Sequence, residues 1–194
     1  LEEAGKLVKS GLKEITLLGQ NVNAYHGVSS DGKEWTLGRL IRELAELDGL
    51  ERIRYTTSHP NDMTRDLIQC HKKSKKLVPF IHLPVQSGSN KVLKTMNRKH
   101  TREEYLSKIN DLISARPEIR YSSDFIVGYP GETEKDFNET LDVMNYVKFD
   151  SAFTFKYSSR PGTKASEFDN HIDERIRQLR LAKLVELQKI HTLH

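Results

Sequence analysis

The sequence predicts a parallel α/β fold. Three observations carry this: short apolar runs rich in β-branched and aromatic residues, helical apolar faces between them, and a polar or glycine-rich segment straight after each run. The runs are Glu14–Leu18, Arg52–Thr56, Pro79–Leu83, Tyr121–Val127 and Ser151–Tyr157, each of which reads as a buried strand. Spacings of three and four mark one apolar face on each intervening helix. The faces are Leu37, Leu40, Ile41, Leu44 and Leu47, then Tyr105, Ile109, Leu112 and Ile113, then Phe137, Leu141 and Met144. Met63, Leu67 and Cys70 form a further face, which places the cysteine in a core. Glu2–Ser10 reads as an opening helix. Arg175–His191 reads as a charged helix with looser apolar positions, capping the sheet or leading to a further domain. The stretch Tyr25–Trp35, with Gly27, Ser29, Ser30, Asp31 and Gly32, reads as a flexible surface loop. Every connection is long enough for a crossover helix, so the strands run parallel. Periodicity does not choose between a doubly wound sheet and a (β/α) barrel.

Composition bounds the rest. The chain has 194 residues, 36% hydrophobic and 30% charged, enough to bury one core. A single cysteine forms no internal disulfide and supplies no cysteine metal cage, which fits a reducing cytoplasm. No apolar run approaches the roughly 20 residues needed to span a bilayer. Thirty-one basic against 27 acidic side chains leave a net charge of +4, a mild bias toward anionic partners. The sequence opens at Leu1, without methionine and inside a helical pattern, and so reads as a piece of a larger protein.

In a parallel α/β protein the ligand lies at the carboxyl ends of the strands. Here those ends read Gly19-Gln-Asn21, Thr57-Ser-His-Pro60, Pro84–Ser89, Gly128–Thr133 and Ser158–Thr163. Amides, hydroxyls and glycine backbone of this kind suit a small polar molecule with ribose, amino and carboxylate groups. Structural readings stand beside the functional ones. Thr133 and Asp136 read as a capping box, and Ser87 or Ser89 as the cap of a helix beginning near Asn90. His59 before Pro60 reads as a base or a turn residue, and His82 as a core histidine. Arg160 sits where an anion clamp is useful. Walker, Gly-x-Gly-x-x-Gly, His-Glu-x-x-His and Gly-x-Ser-x-Gly elements are missing, which removes the main support for phosphoryl transfer, nicotinamide, zinc-protease and esterase chemistry. Basic segments at His71–Lys76 and Lys91–Arg102 suit an RNA backbone or a solvated helix face.

Taken in order, Leu17–Val22, Thr57–Pro60, His82–Ser89, Arg98–Thr101, Ser122–Thr133 and Ser159–Thr163 resemble the radical S-adenosylmethionine methylthiotransferases over nearly the whole chain. Gln20–Tyr25 with Leu83–Ser89 is most similar to the group that methylthiolates N6-isopentenyladenosine in tRNA. Enzymes acting on threonylcarbamoyladenosine or a ribosomal-protein aspartate share much of the pattern. The resemblance implies a partial (β/α)6 barrel lacking its first strand and cluster loop, with the core at 1–172 and a helix at 173–194 that closes it or leads into an RNA-binding domain. It implies that Gly19, Gln20 and Asn21 meet the methionyl amino group of S-adenosylmethionine, and that Gly128, Pro130, Gly131 and Glu132 pack near its adenine. Ser58, Gln86, Ser87 and Arg160 would complete the cofactor site, while Lys94, Arg98, Lys99 and Arg102 would meet RNA.

The family uses a reduced [4Fe–4S] cluster on three cysteines to cleave S-adenosylmethionine to a 5′-deoxyadenosyl radical, and a second [4Fe–4S] cluster in sulfur transfer. Neither set of three cysteines is in this sequence, and no metal ligands are assigned here. The expectation is therefore a fragment of a tRNA methylthiotransferase, inactive alone and prone to associate through an exposed barrel edge. Its parent would act beside the anticodon, with an N-terminal portion or split-gene partner supplying the clusters. A non-catalytic RNA-binding module is the alternative. A third reading is an ordinary α/β-barrel enzyme with His59 or Glu132 as its acid–base group.

Overall fold

A computed structural model describes residues 1–29, 32–56 and 58–193. Ser30 and Asp31 of the expected loop, Thr57 of the Thr57–Pro60 motif, and His194 lie outside the described residues. The chain divides into two compact units, Leu1–Leu83 with Lys108–Arg120, and Pro84–Ser107 with Tyr121–His194.

The first unit holds α1 (Glu2–Lys9), β1 (Glu14–Leu17), β2 (His26–Val28), β3 (Glu34–Thr36), α2 (Leu37–Ala45), β4 (Arg52–Tyr55), α3 (Arg65–Lys73) and β5 (Phe80–His82). Strands β1 and β4 pair in parallel, Glu14 opposite Arg52 through Leu17 opposite Tyr55. Lys76–Val78 runs along the other side of β4, where Ile53 N–H donates to Lys76 O (2.8 Å) and Val78 N–H to Ile53 O (3.0 Å). Ile41, Leu44, Leu50, Ile53, Met63 and Leu67 fill the core beneath. Helices α2 and α3 each start on a threonine: Thr36 Oγ accepts Arg39 N–H, and Thr64 Oγ accepts Leu67 N–H.

Two expectations change in this unit. The stretch Tyr25–Trp35 is largely a hairpin, with β2 and β3 antiparallel, His26 opposite Thr36 and Val28 opposite Glu34. Ser29 N–H donates to Lys33 O (3.0 Å), and Arg39 lies over the Trp35 ring at 5.4 Å. Of the residues that suggested a loop, Gly27 lies in β2, and Gly32 N–H donates to Ser29 O (2.9 Å) between the two strands. Met63 is not on α3: it sits in the turn before Thr64 and reaches the core from there, fully buried.

The second unit contains α4 (Asn90–Thr95), β6 (Arg120–Val127), α6 (Glu134–Val147), β7 (Ser151–Lys156) and α7 (Glu174–Thr192), while α5 (Arg102–Ala115) carries residues of both units. Strands β6 and β7 are parallel, Ser122 opposite Ser151 through Val127 opposite Lys156. On its other side β6 meets Gln86, whose N–H donates to Asp124 O (2.9 Å) and whose carbonyl accepts Ile126 N–H (3.0 Å). One face of β6, with Ser123, Phe125 and Val127, is buried, and Phe125 meets the edge of Phe149. The other carries Asp124 and Ile126, level with Phe153 and Phe155 of β7, both more than half exposed. Helix α7 packs on β7 and α6. Parallel pairing in each unit agrees with the predicted class.

Candidate functional site

In the first unit, the segments after β1 and β4 meet. Asn23 clamps the backbone of His59 on both sides: its Nδ2 donates to His59 O and its Oδ1 accepts His59 N–H, each at 2.8 Å. Asn21 Nδ2 donates to Asp62 Oδ2 (2.6 Å), which leaves Asn21 Oδ1 buried without a partner. Ser58 is also buried, and its Oγ has no partner. Two orphaned polar atoms at the ends of neighbouring parallel strands are an unmet hydrogen-bonding demand. Gly19 and Gln20 are exposed beside them. His59 is a turn residue: its Nδ1 accepts Asn61 N–H (3.2 Å) at the start of a short 3-10 turn.

In the second unit, the turn after β6 is built around glycine. Gly128 and Gly131 lie at φ 70° and 78°, the left-handed region a side chain resists. The buried Glu132 carboxylate holds the turn together: Oε1 accepts Gly128 N–H (2.8 Å) and Arg180 Nη1 (2.7 Å). Arg180 Nη1 also reaches the Glu132 main-chain carbonyl (3.1 Å). Burial pushes the Glu132 carboxyl above the usual carboxylate range, against the lowering pull of Gly128 N–H and Arg180. Its Oε2 is buried with no partner. Pro130 is buried, and Tyr129 meets the edge of Tyr157 at 5.2 Å.

Other expected site residues are committed within the fold. Ser87 Oγ lies 3.3 Å from Thr140 Oγ1 and accepts Ser89 N–H (3.2 Å), so it ties a turn to α6. Ser89 caps α4 and donates to Asp136 Oδ1 (2.6 Å). Thr133 and Asp136 form the expected capping box. Burial works to raise the Asp136 carboxyl, but hydrogen bonds from Ser89, Thr133 and Lys91 outweigh it and hold the group well below its ordinary range. Gln86 is buried at φ 75° and bridges to β6. Arg160 is exposed, and its carbonyl accepts Thr163 N–H.

Of the residues expected to meet RNA, Lys94 and Lys99 are exposed. Arg98 is half-buried, where desolvation lowers its pKa and the charge of Asp124 opposes that. Arg102 is tied to Asn90 through its backbone and to Glu103 through its side chain.

Sequence reasoning missed Asn23, Asp62, Asn170, Arg177 and Arg180. The signal for Arg180 was present but inverted. The buried positions of α7 are Arg180, Leu184 and Gln188, a regular spacing of four occupied mostly by polar residues, which a search for apolar periodicity reads as loose.

Among the described residues, no group of three or more His, Cys, Asp or Glu is placed to hold a metal ion. Cys70 is buried on α3, its Sγ donating to Gly38 O at 3.2 Å. These residues do not fit an iron–sulfur cluster. In the first unit, the orphaned Asn21 and Ser58 oxygens fit a molecule bearing hydroxyl or amino groups.

Parallel α/β units with glycine and amide groups at the strand ends define a class, and sequence comparison identifies it. The sequence model of the Radical SAM superfamily matches residues 1–144, and the chain belongs to that superfamily. Over 95% of its length the chain is 57% identical to the tRNA-2-methylthio-N(6)-dimethylallyladenosine synthase of Ehrlichia canis (strain Jake). It is 55% identical over 94% of its length to the synthase of the same name from Bartonella tribocorum (strain CIP 105476 / IBS 506). The chain spans 42% and 40% of those two proteins. Among solved structures, Escherichia coli coproporphyrinogen III oxidase, a radical SAM enzyme, superimposes with a TM-score of 0.62 at 18% identity, covering 80% of this chain and 36% of that one. Methylornithine synthase superimposes with a TM-score of 0.54 at 13% identity, over 97% of this chain and 53% of that one. Both likenesses concern the fold. No helix among the described residues is long and apolar enough to cross a membrane.

Proposed function

We propose that this chain is the S-adenosylmethionine-binding portion of a tRNA methylthiotransferase, whose parent adds a methylthio group to C2 of N6-dimethylallyladenosine beside the anticodon. The identity of 57% over 95% of the chain to synthases so named carries the reading. In the second unit, the Gly128–Glu132 turn is the segment that would present backbone to the nucleoside, its two glycines at positive φ packed against Arg177 and Asn170. Taken by itself, the first unit offers the buried Asn21 and Ser58 oxygens to a polar ligand. Bound S-adenosylmethionine supplies the adenosyl and methyl groups of the chemistry. The described residues offer no cluster ligand set, so an N-terminal portion or partner chain supplies it, and the isolated chain is inactive.

The test is a transplant. Replacing the matching segment of the Ehrlichia canis synthase with this chain should restore methylthiolated adenosine to tRNA from a strain lacking the enzyme, read by mass spectrometry. The isolated chain, treated anaerobically with iron, sulfide, reductant and S-adenosylmethionine, should release no 5′-deoxyadenosine. A well-expressed transplant that leaves tRNA unmodified refutes the assignment.

A further inference from the structure

The superfamily match ends at residue 144, yet the groups that hold the glycine turn come from 170–180. Arg180 and Glu132 are both almost fully buried, with side-chain exposures of 8% and 0%. Because Glu132 Oε1 accepts both Arg180 Nη1 and Gly128 N–H, the helix reaches the Gly128 backbone through one carboxylate oxygen. Arg177 closes the other side. Its aliphatic stem occupies the space beside Gly128, so that a Cβ built there would meet Arg177 Cγ at 2.3 Å, while its Nη1 donates to Tyr157 O (2.6 Å). Asn170 completes the set: its carbonyl accepts Gly131 N–H (2.9 Å), and its amide lies 2.5 Å from the Cβ position of Gly131.

We propose that Arg180 is a positioning residue, which through Glu132 fixes the Gly128 backbone in the conformation that receives the nucleoside. Arg177 and Asn170 limit how far the turn can move. Without Arg180, Glu132 is a buried charge lacking its counter-ion, and such a group moves toward water or takes up a proton. Either response weakens its hold on Gly128 N–H. The proposal rests on the reading that this turn contacts S-adenosylmethionine.

The experiment uses the full chain with two readouts: amide hydrogen exchange at Gly128, and calorimetric binding of S-adenosylhomocysteine. Arg180→Met should speed Gly128 exchange and weaken binding, each by roughly tenfold, the scale of one charge-assisted hydrogen bond. Arg180→Lys should recover part of both. Adding Glu132→Gln to Arg180→Met should bring no further loss in binding, because the two side chains act as one device. Glu134→Ala removes the exposed acceptor 3.4 Å from Arg180 Nη2 and should change neither readout. A folded Arg180→Met chain with wild-type exchange and affinity overturns the proposal. If that variant does not fold, Glu132→Gln alone decides, since a neutral amide oxygen holds both donors more weakly than the carboxylate does: unchanged exchange and affinity overturn the proposal, and a loss in both supports it. Should the wild type bind no S-adenosylhomocysteine, the nucleoside reading fails, and Gly128 exchange still decides the positioning claim.

Discussion

Acidification from pH 7 to pH 5 should weaken the first unit through His71. The side chain is 1% exposed, and its Nε2 lies 2.6 Å from the Tyr55 hydroxyl. Burial, helped by the positive charge of Arg116, lowers its pKa from 6.5 to about 4. The native ring therefore stays neutral where the unfolded chain's ring takes up a proton. Stability is intact above pH 6.5, declines as pH falls below that value, and has lost its full amount below pH 4. For those two pKa values the loss is about 2 kcal/mol at pH 5 and approaches about 3.4 kcal/mol below pH 4. With a urea slope of about 2 kcal/mol per molar, the midpoint should drop by roughly 0.9 M between pH 7 and 5. Trp35, the single tryptophan, lies on β3 in the same unit and reports the transition by fluorescence. His71→Gln keeps a hydrogen-bonding group near Tyr55 but cannot titrate, so its midpoint should fall by about 0.9 M less than the wild type's. Equal falls in the two proteins would refute the reasoning.

Gly88→Ala should destabilise by about 2–3 kcal/mol, roughly 6–9 °C in thermal melts, because the added Cβ would lie 2.2 Å from Glu139 O and 2.6 Å from Thr140 Cα, backbone that cannot step aside. Asp136→Asn should cost about 2 kcal/mol at neutral pH, seen as a lower denaturant midpoint, since the carboxylate accepts from Ser89, Lys91 and both donors of Thr133. The folded carboxyl titrates below its unfolded value, so the wild type's advantage over the variant should shrink as pH falls below about 4. Cys70 should react with alkylating reagents far more slowly in the native chain than in urea, because burial raises the thiol's pKa and its sulfur is engaged with Gly38 O. Alkylation at equal rates would show that α3 opens freely.

How much of this was legible in the sequence depended on which force shapes each residue. Apolar spacing marked α2, α5 and α6 because those helices are held chiefly by the burial of one apolar face. The capping box at Thr133 was legible because its chemistry is local. The pairing of His26–Val28 with Glu34–Thr36 was hidden by its brevity: two three-residue strands are too short for alternation to register. Met63 was assigned to the right core but the wrong element, since a buried side chain can reach a core from a turn as well as from a helix. The clamp of Asn23 on His59 spans 36 residues and gives no local pattern. Arg98 looked like part of a solvated basic face, and only the fold brings it under the influence of Asp124.

The contact stripe of α7, Arg180, Leu184 and Gln188, also bears on how the chain assembles. A helix that docks through leucines alone can slip by a turn at small cost, because one methyl surface resembles the next. Arg180 must find Glu132, and Gln188 Nε2 must find Phe149 O at 2.8 Å, two anchors eight residues apart. A slip of one turn would bury the guanidinium away from its carboxylate and leave the Phe149 carbonyl unserved, several kcal/mol against that arrangement. The polar stripe thus acts as an address: it gives up some adhesive strength so that the helix seats in one place.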